Sequence, residues 1–409
     1  MIFNIKVEVE DRDEVLSNLE FKTKENDKPE SPYEIYGFND ILNVHRNKID
    51  KIHTDIWKKV RWYINEYDFL VKDPIINRAF YKYWEIINVF EVFDKYNETD
   101  TIFHCAEAPG GFIQGSNIYL QLESFKPIQL EESLVDNDGF TMVKKKKRKN
   151  DKFYKIYTIS LNKDLPKYKT YNLPSYNKRV INKNICVTYG KDNTGDINNL
   201  DNIHHIKNMV GNDGSYLVTA DGGFDEGTDF NNKEQLHYFL ILNEIYSALC
   251  LQKQGGTFIL KVFDIFTTTS VHVLYLLNLV YGEIYIYKPK TSRPTNSEKY
   301  IICKNLQLTD KTYVLNILRQ LSEKFKTQKK YTSFTLFNSI PASFTDKMHH
   351  MNTTLLNKQC DSLQKAIDLC ENDEFMKNYD SELESSLDRR RKIFKQWEEK
   401  YNLNCYIPS

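Results

Sequence analysis

Three segments of this chain place ionisable side chains where strands end. Asp221 opens Asp221-Gly222-Gly223-Phe224 directly after the apolar run Tyr216 to Ala220. Lys261 closes the run Gly255 to Lys261, and the polar turn Ser292 to Glu298 brings an acid to the start of a last strand. A fourth segment, Cys105-Ala106-Glu107-Ala108-Pro109-Gly110-Gly111-Phe112, carries an apolar strand into a Gly-Gly turn and on into a helix start. Pro109 stiffens that turn, while Gly110 and Gly111 permit positive φ and leave no Cβ between backbone and ligand. Each segment alone says little, since a strand-ending Lys or Asp is usually just solvated and many Gly-Gly turns bind nothing. Converging on one sheet edge, they describe a nucleotide-type pocket with acid and amine groups at its rim. With a single glycine pair in the stretch Cys105 to Phe112 and no G-x-G-x-x-G, NAD is not supported.

The elements that must position these groups are legible as an alternation. Strands are predicted over residues 101–106, 153–161, 185–188, 215–220, 256–262, 283–288 and 299–304, with helices over 202–210, 233–251 and 268–281 between them. Near-continuous apolar strands alternating with helices predict an α/β fold: a Rossmann-like, doubly wound, mostly parallel seven-stranded sheet covered on both faces. The last two strands, joined by the turn 289–297, should pair antiparallel. Ahead of the sheet, residues 1–40 read as a charged, poorly periodic extension, and Ile49, Ile52, Ile56, Trp57, Val60 and Ile64 predict one long amphipathic helix over 41–69. A second helix follows Pro74. Beyond Thr309 charged helices form a tail, the last over 389–401. The expected division is an N-terminal extension and helix (1–70), a central domain (71–308) and a C-terminal helical appendage (309–409).

Composition bounds the partners. The 409 residues carry 56 basic and 56 acidic side chains, so a nucleic-acid surface must be a local patch and not a global field. Seven scattered cysteines without C-x-x-C argue for reduced thiols and against a disulfide framework or a zinc site; no metal is expected. No apolar run approaches the roughly 18 residues of a spanning helix, and residues 1–13 are too acidic for a signal peptide, so a soluble, cytoplasmic protein without a membrane partner is expected. The run Lys144 to Lys149 reads either as a solvated loop or as a phosphate contact.

In combination, Ile76 to Lys82, Ala106 to Phe112, Thr194-Gly195-Asp196-Ile197, Ala220 to Phe224, Leu260-Lys261 and Lys288 to Glu298 resemble the FtsJ-type RNA ribose 2'-O-methyltransferases. The chain most resembles their cap-specific mRNA branch, including versions carried by large DNA viruses, for which a viral factory or virion is the implied location. The resemblance covers about residues 74–304. It implies a Lys-Asp-Lys-Glu catalytic tetrad, matched by Lys82, Asp221, Lys261 and Glu298. It implies S-adenosyl-L-methionine as cofactor, held by Asn77, Ala108, Pro109, Gly110, Gly111 and Phe112, with Asp196 at the adenine or its ribose. Ser292, Arg293 and Asn296 are the implied substrate contacts. The implied partner is the 5' end of capped mRNA, with other capping or transcription proteins as further partners. A ribose 2'-hydroxyl is a poor nucleophile, so attack on a sulfonium methyl benefits from a base, for which Lys261 is the candidate. Desolvation and the cation Lys82 should favour loss of its proton, which Asp221 opposes while orienting the amine; Glu298 should orient Lys82 or the ribose. Ribosomal RNA as substrate and a non-catalytic RNA-binding subunit on the same fold are the competing readings. Trp57, Arg61, Trp62 and Tyr63 are candidate contacts for single-stranded RNA, with helix packing as their competing role.

Overall fold

The structure, a computed structural model, describes residues 1–30, 38–68, 73–97, 99–123, 154–223, 230–328 and 330–405. Phe153, Phe224 and the run Lys144 to Lys149 lie outside the described residues.

Ten strands form: β1 (Ile2–Asn4), β2 (Lys22–Lys24), β3 (Thr101–Cys105), β4 (Lys155–Ile159), β5 (Ile185–Thr188), β6 (Ser215–Ala220), β7 (Gln252–Val262), β8 (Tyr281–Tyr287), β9 (Lys299–Leu306) and β10 (Ser333–Thr335). Eight build the central sheet in the order β1-β8-β9-β7-β6-β3-β4-β5, and β2 pairs with β10 in a separate ribbon. The seven expected strands are all in the large sheet. From β7 to β5 all neighbours are parallel; β9 inserts antiparallel between β7 and β8. The eighth strand, β1, comes from the charged N-terminal stretch and pairs antiparallel with β8, covering what would be an open edge.

Thirteen α-helices are described: α1 (Arg12–Ser17), α2 (Phe38–Ile49), α3 (Thr54–Ile64), α4 (Arg78–Val89), α5 (Gly111–Glu123), α6 (Leu200–Val210), α7 (Lys233–Leu236), α8 (Tyr238–Leu251), α9 (Thr268–Val280), α10 (Thr312–Phe325), α11 (Ala342–Cys370), α12 (Asp373–Lys377) and α13 (Tyr379–Lys400). One face of the sheet buries Phe103, Val218, Phe258 and Ile301 against α6, α8, α9 and α10. The other buries Ile102, Leu217, Ile259 and Ile302 against Phe80 and Trp84 of α4, Ile113 of α5 and Trp397 of α13. Burial on both faces is why the strands read as unbroken apolar runs.

The predicted long helix over 41–69 is instead two helices, α2 and α3. The chain turns at Asp50–His53, and the His53 side chain caps α3 by accepting from Asp55 N at 3.3 Å. The break lets both apolar faces reach the C-terminal helices: Leu42 packs on Leu356 and Leu363, and Val60 on Ala366, Phe375 and Tyr379. Among the described residues no helix is long and apolar enough to cross a membrane.

Candidate active site

Strand register alone gathers three of the four tetrad residues. In the parallel pair β6–β7, Ala220 stands opposite Leu260, which sets Asp221 beside Lys261. In the antiparallel pair β7–β9, Lys261 stands opposite Tyr300, and Glu298 lies two residues before Tyr300. Side chains alternate with period two along a strand, so Asp221, Lys261, Tyr300 and Glu298 leave the sheet on the same face. Lys82 arrives from α4, which covers that face.

Two ion pairs result. Lys82 Nζ lies 2.6 Å from Glu298 Oε1, and Lys261 Nζ lies 3.2 Å from Asp221 Oδ1; all four side chains are largely buried. Lys261 Nζ also donates to the Asp221 carbonyl at 2.6 Å, and Tyr300 Oη donates to Asp221 Oδ1 at 3.1 Å. Burial pushes Glu298 up, but the Lys82 and Lys261 ammoniums overcome it and hold the acid at about 2. For Lys261, burial pulls the pKa down, yet the carboxylates of Asp221, Glu298 and Glu244 outweigh it and the net shift is upward. The expected depression of Lys261 is therefore corrected. Lys82 spends its charge on Glu298, and several carboxylates face Lys261, so the free site holds an ammonium.

Two buried acids that the sequence reading passed over complete this electrostatics. Glu244 of α8 accepts from Gly222 N at 3.1 Å and so pins the turn that follows Asp221; burial raises its pKa to about 8, against the pull of Lys261. Glu107, between β3 and the glycine turn, accepts from Thr219 Oγ1 at 3.3 Å. Burial and then the Asp221 charge raise it well above the usual carboxylate range.

The loop between β8 and β9 is held by a stripe on α4. Arg78, Lys82 and Glu85 recur at i, i+4 and i+7 and share one helix face. Arg78 Nη2 donates to the Thr291 carbonyl at 2.8 Å, and Lys82 holds Glu298. Glu85 accepts from Tyr287 Oη at 2.5 Å, Lys290 N at 2.8 Å and Trp397 Nε1 at 3.1 Å. Of the implied substrate residues, Ser292 donates to Glu298 Oε1 at 3.0 Å, and Asn296 Oδ1 accepts from Glu298 N at 3.1 Å. Arg293 Nε lies 3.1 Å from Asp68 Oδ2, a carboxylate that also pairs with Arg78. All three thus shape the loop that presents Glu298. Arg61 and Arg78 are each pushed down by burial and then by the Arg293 charge, which makes these guanidiniums a cluster with Asp68 as its counter-ion. Of the aromatics on α3, Tyr63 packs edge-on against Phe375 with ring centroids 4.9 Å apart, and Trp62 lies under the Arg390 guanidinium at 4.9 Å. Packing is their role here.

On the donor side, Ala106, Ala108 and Pro109 form a partly exposed ledge, whereas Gly110, Gly111 and Phe112 are buried beneath it. Gly110 sits at φ +111°, the conformation that favours glycine. Gly111 is glycine for a different reason from the one expected. It starts α5, and a Cβ there would lie 2.3 Å from Asn77 Oδ1 and 2.8 Å from Phe80 N, so the constraint is helix contact and not ligand access. Asn77 caps α4, accepting from Phe80 N at 3.4 Å. The Phe112 ring is wholly buried, its centroid 4.5 Å from that of Tyr83, and supports the ledge from below. Ser160, just after β4, joins the two halves. Its Oγ accepts from Ala108 N at 3.0 Å, and its carbonyl lies where a Cβ on Gly195 would stand, at 1.9 Å, so only glycine fits before Asp196. Asp196 Oδ1 accepts from Asn198 N at 2.9 Å, and the residue is partly exposed.

This set fits S-adenosyl-L-methionine. A backbone ledge with a left-handed glycine takes an extended amino-acid moiety, Asp196 can accept from ribose hydroxyls, and the carboxylate of Asp221 suits a sulfonium charge. A model of the FtsJ-like methyltransferase family matches residues 75–306, over half of the chain. Among similar proteins, cap-specific mRNA (nucleoside-2'-O-)-methyltransferase 1A of Caenorhabditis briggsae is 38% identical over 149 residues, covering 36% of this chain and 17% of that protein. Cap-specific mRNA (nucleoside-2'-O-)-methyltransferase 2 of Mus musculus is 28% identical over 340 residues, covering 81% of this chain and 41% of that protein. An inactive cap-specific mRNA (nucleoside-2'-O-)-methyltransferase 1B of Caenorhabditis briggsae is 35% identical over 149 residues, covering 36% of this chain and 18% of that protein. The chain spans less than half the length of these relatives. With every motif described above, from the α4 cap to Glu298, inside the matched span, the chain belongs to the FtsJ-like methyltransferases, whose methyl donor is S-adenosyl-L-methionine.

Proposed function

We propose that the chain transfers a methyl group to the ribose 2'-oxygen of RNA, and that its acceptor is the first transcribed nucleotide of capped mRNA. The observation that carries the reading is the pair of ion pairs, Lys82–Glu298 and Lys261–Asp221, on one sheet face beside the donor ledge. The donor supplies an electrophilic methyl on sulfonium. The chain's own residues then have two tasks: to hold the ribose hydroxyl in line and to take its proton.

Lys261 takes the proton. Its neutral form is scarce because the surrounding carboxylates favour the ammonium, but the same carboxylates make that neutral form a stronger base. Asp221 fixes the amine through two contacts, and Tyr300 fixes Asp221. Glu298 and Lys82 orient the sugar. The Arg61, Arg78 and Arg293 cluster supplies positive charge for the phosphates next to the reacting nucleotide.

Overall similarity does not separate an enzyme from a scaffold, since one relative described as inactive matches at 35% identity. The four intact side chains favour catalysis, because a binding-only descendant needs no second lysine paired with a second acid at this edge. The test is methyl transfer from labelled donor to RNAs that are capped, uncapped, or capped and already 2'-O-methylated on the first nucleotide. Transfer to the capped, unmethylated RNA alone is expected; equal labelling of uncapped RNA would overturn the cap-specific part, and no transfer to any of them would overturn the enzyme.

A further inference from the structure

A groove of about 670 Å³ runs behind the loop that presents Glu298, between that loop, the chain leaving α3, and helices α11 and α13. Lys288, Lys290, Lys299, Lys358 and Lys365 line it against a single acid, Glu66. Glu66 is already paired with Arg389 at 2.9 Å. Lys290, Lys358 and Lys365 are exposed, and among the described residues none of the three is in an ion pair. The two buried lysines hydrogen-bond carbonyls, while Glu298 and Asp264 act on them through space. Lys288 Nζ donates to the Glu298 carbonyl at 2.9 Å, and Lys299 Nζ to the Phe263 carbonyl. Burial, with Lys299 and Lys82 nearby, brings Lys288 down to about 7, and burial brings Lys299 to about 8. Along the exposed stripe positive charge is in excess and, among the described residues, has no ion-pair partner, the condition under which a concave surface collects anions.

The shape of that charge narrows the anion. Lys358 and Lys365 are seven residues apart on α11, two helical turns, which sets them on one stripe about 10 Å apart along the axis. Lys290 extends the line towards the reaction loop. A row of this length suits successive phosphates of a strand better than one phosphate group. The groove also shares a wall with the site. Ser292 lines it and donates to Glu298 Oε1 at 3.0 Å, and Gln359 of α11 donates to the Thr295 carbonyl at 3.2 Å. Lys358 and Lys365 lie outside the span 75–306 that matches the family, on the C-terminal helix α11.

We propose that the Lys290–Lys358–Lys365 groove carries the phosphate backbone of the single-stranded RNA whose ribose is methylated. The proposal rests on the RNA reading above, and it is independent of the cap. The C-terminal helices thus extend the substrate track beyond the methyltransferase core.

The test is equilibrium binding of a fluorescent, uncapped single-stranded RNA oligonucleotide to the full chain across a salt series, with tripolyphosphate as a second probe. Replacing Lys290, Lys358 and Lys365 together by Gln should weaken RNA binding about tenfold or more at low salt. It should also make the slope of log K against log salt shallower by about 2, at roughly 0.7 per lost phosphate contact on a single strand. Unchanged donor affinity in calorimetry verifies that the variant is folded; should the triple variant not fold, Lys365→Gln alone should change the slope by about 0.7. Equal slopes in variant and parent would overturn the proposal. So would loss of tripolyphosphate binding with RNA binding intact, which assigns the groove to a free polyphosphate. Because the probe is uncapped and no turnover is read, a shallower slope stands even if methyl transfer to capped RNA fails, and the reverse outcome removes the groove alone.

Discussion

The Lys261 ammonium lies 3.2 Å from Asp221 Oδ1 and 2.6 Å from the same residue's carbonyl oxygen, so one residue holds it through both its side chain and its backbone. That grip fixes the nitrogen without touching the donor ledge. Lys261→Ala should therefore lower kcat by about 10²- to 10⁴-fold, the usual worth of a positioned base, while calorimetry finds unchanged affinity for S-adenosyl-L-methionine. Lys261→Arg should fail to the same extent, because a guanidinium cannot give up its proton at accessible pH. Turnover in either variant would remove Lys261 from the reaction.

The pH dependence follows from the direction of the Lys261 shift. Its pKa is raised above the ordinary lysine value of 10.5, so below that value the neutral amine is the minor form and grows with pH. Single-turnover rates at saturating donor and RNA should rise about tenfold per pH unit between roughly pH 7 and 9. A flat profile would mean that Lys261 acts as a fixed cation and that the hydroxyl loses its proton elsewhere.

Gly111 separates packing from ligand access. Since a Cβ there meets Asn77 Oδ1 at 2.3 Å and backbone N of Phe80 at 2.8 Å, even Gly111→Ala should cost about 1–3 kcal/mol, and Gly111→Val more. Denaturant titration without donor should reveal the loss. Donor affinity falls with it, as α4 and its Asn77 cap are pushed away from the ledge. Full stability with donor binding abolished would restore ligand access as the reason for the glycine.

How far the site was legible in the sequence depends on whether neighbours in space are also neighbours in a motif. Asp221, Lys261 and Glu298 each end or begin a strand, so strand register converts their positions into one cluster. Lys82 was legible through the family motif. Glu85, Glu107 and Glu244 were not, because what makes each matter is a partner more than 100 residues away in sequence or an apolar environment created only by folding. One local signal existed for Glu85: an acid three residues after Lys82 and seven after Arg78, on the same face of a helix that is otherwise largely apolar. Strand β1 was also missed. Three residues with no period of their own become a strand only because the edge of β8 offers unpaired backbone groups. The split of α2 from α3 escaped periodicity because both helices keep the same spacing while facing different parts of α11 and its neighbours.

Glu85 is the test of whether the substrate loop is held from α4. Its carboxylate accepts from Tyr287 Oη, Lys290 N and Trp397 Nε1, and Gln in its place turns one acceptor into a donor facing other donors. Glu85→Gln should destabilise the fold by about 1–3 kcal/mol and lower kcat/KM for RNA, with donor affinity retained. Unchanged kcat/KM in a destabilised variant would make Glu85 purely structural.

Glu244 yields a stability prediction whose sign is fixed by burial. Its pKa rises from 4.5 to about 8 in the folded chain, so between those values the folded state keeps a proton that the unfolded state has released. Folding stability contributed by this group is full below pH 4.5 and declines as pH rises, by about 1.4 kcal/mol per unit, until the folded pKa is passed. Glu244→Gln keeps an oxygen to accept from Gly222 N, at 3.1 Å in the parent, and removes the titration. The stability of the variant relative to the parent should therefore increase from pH 5 to pH 8 and level off above it, as followed by urea denaturation at fixed ionic strength. The same change removes one carboxylate facing Lys261, so the alkaline rise in methyl transfer should begin at lower pH in the variant. A stability difference independent of pH would show that Glu244 is ionised throughout and that its charge is balanced by Lys261.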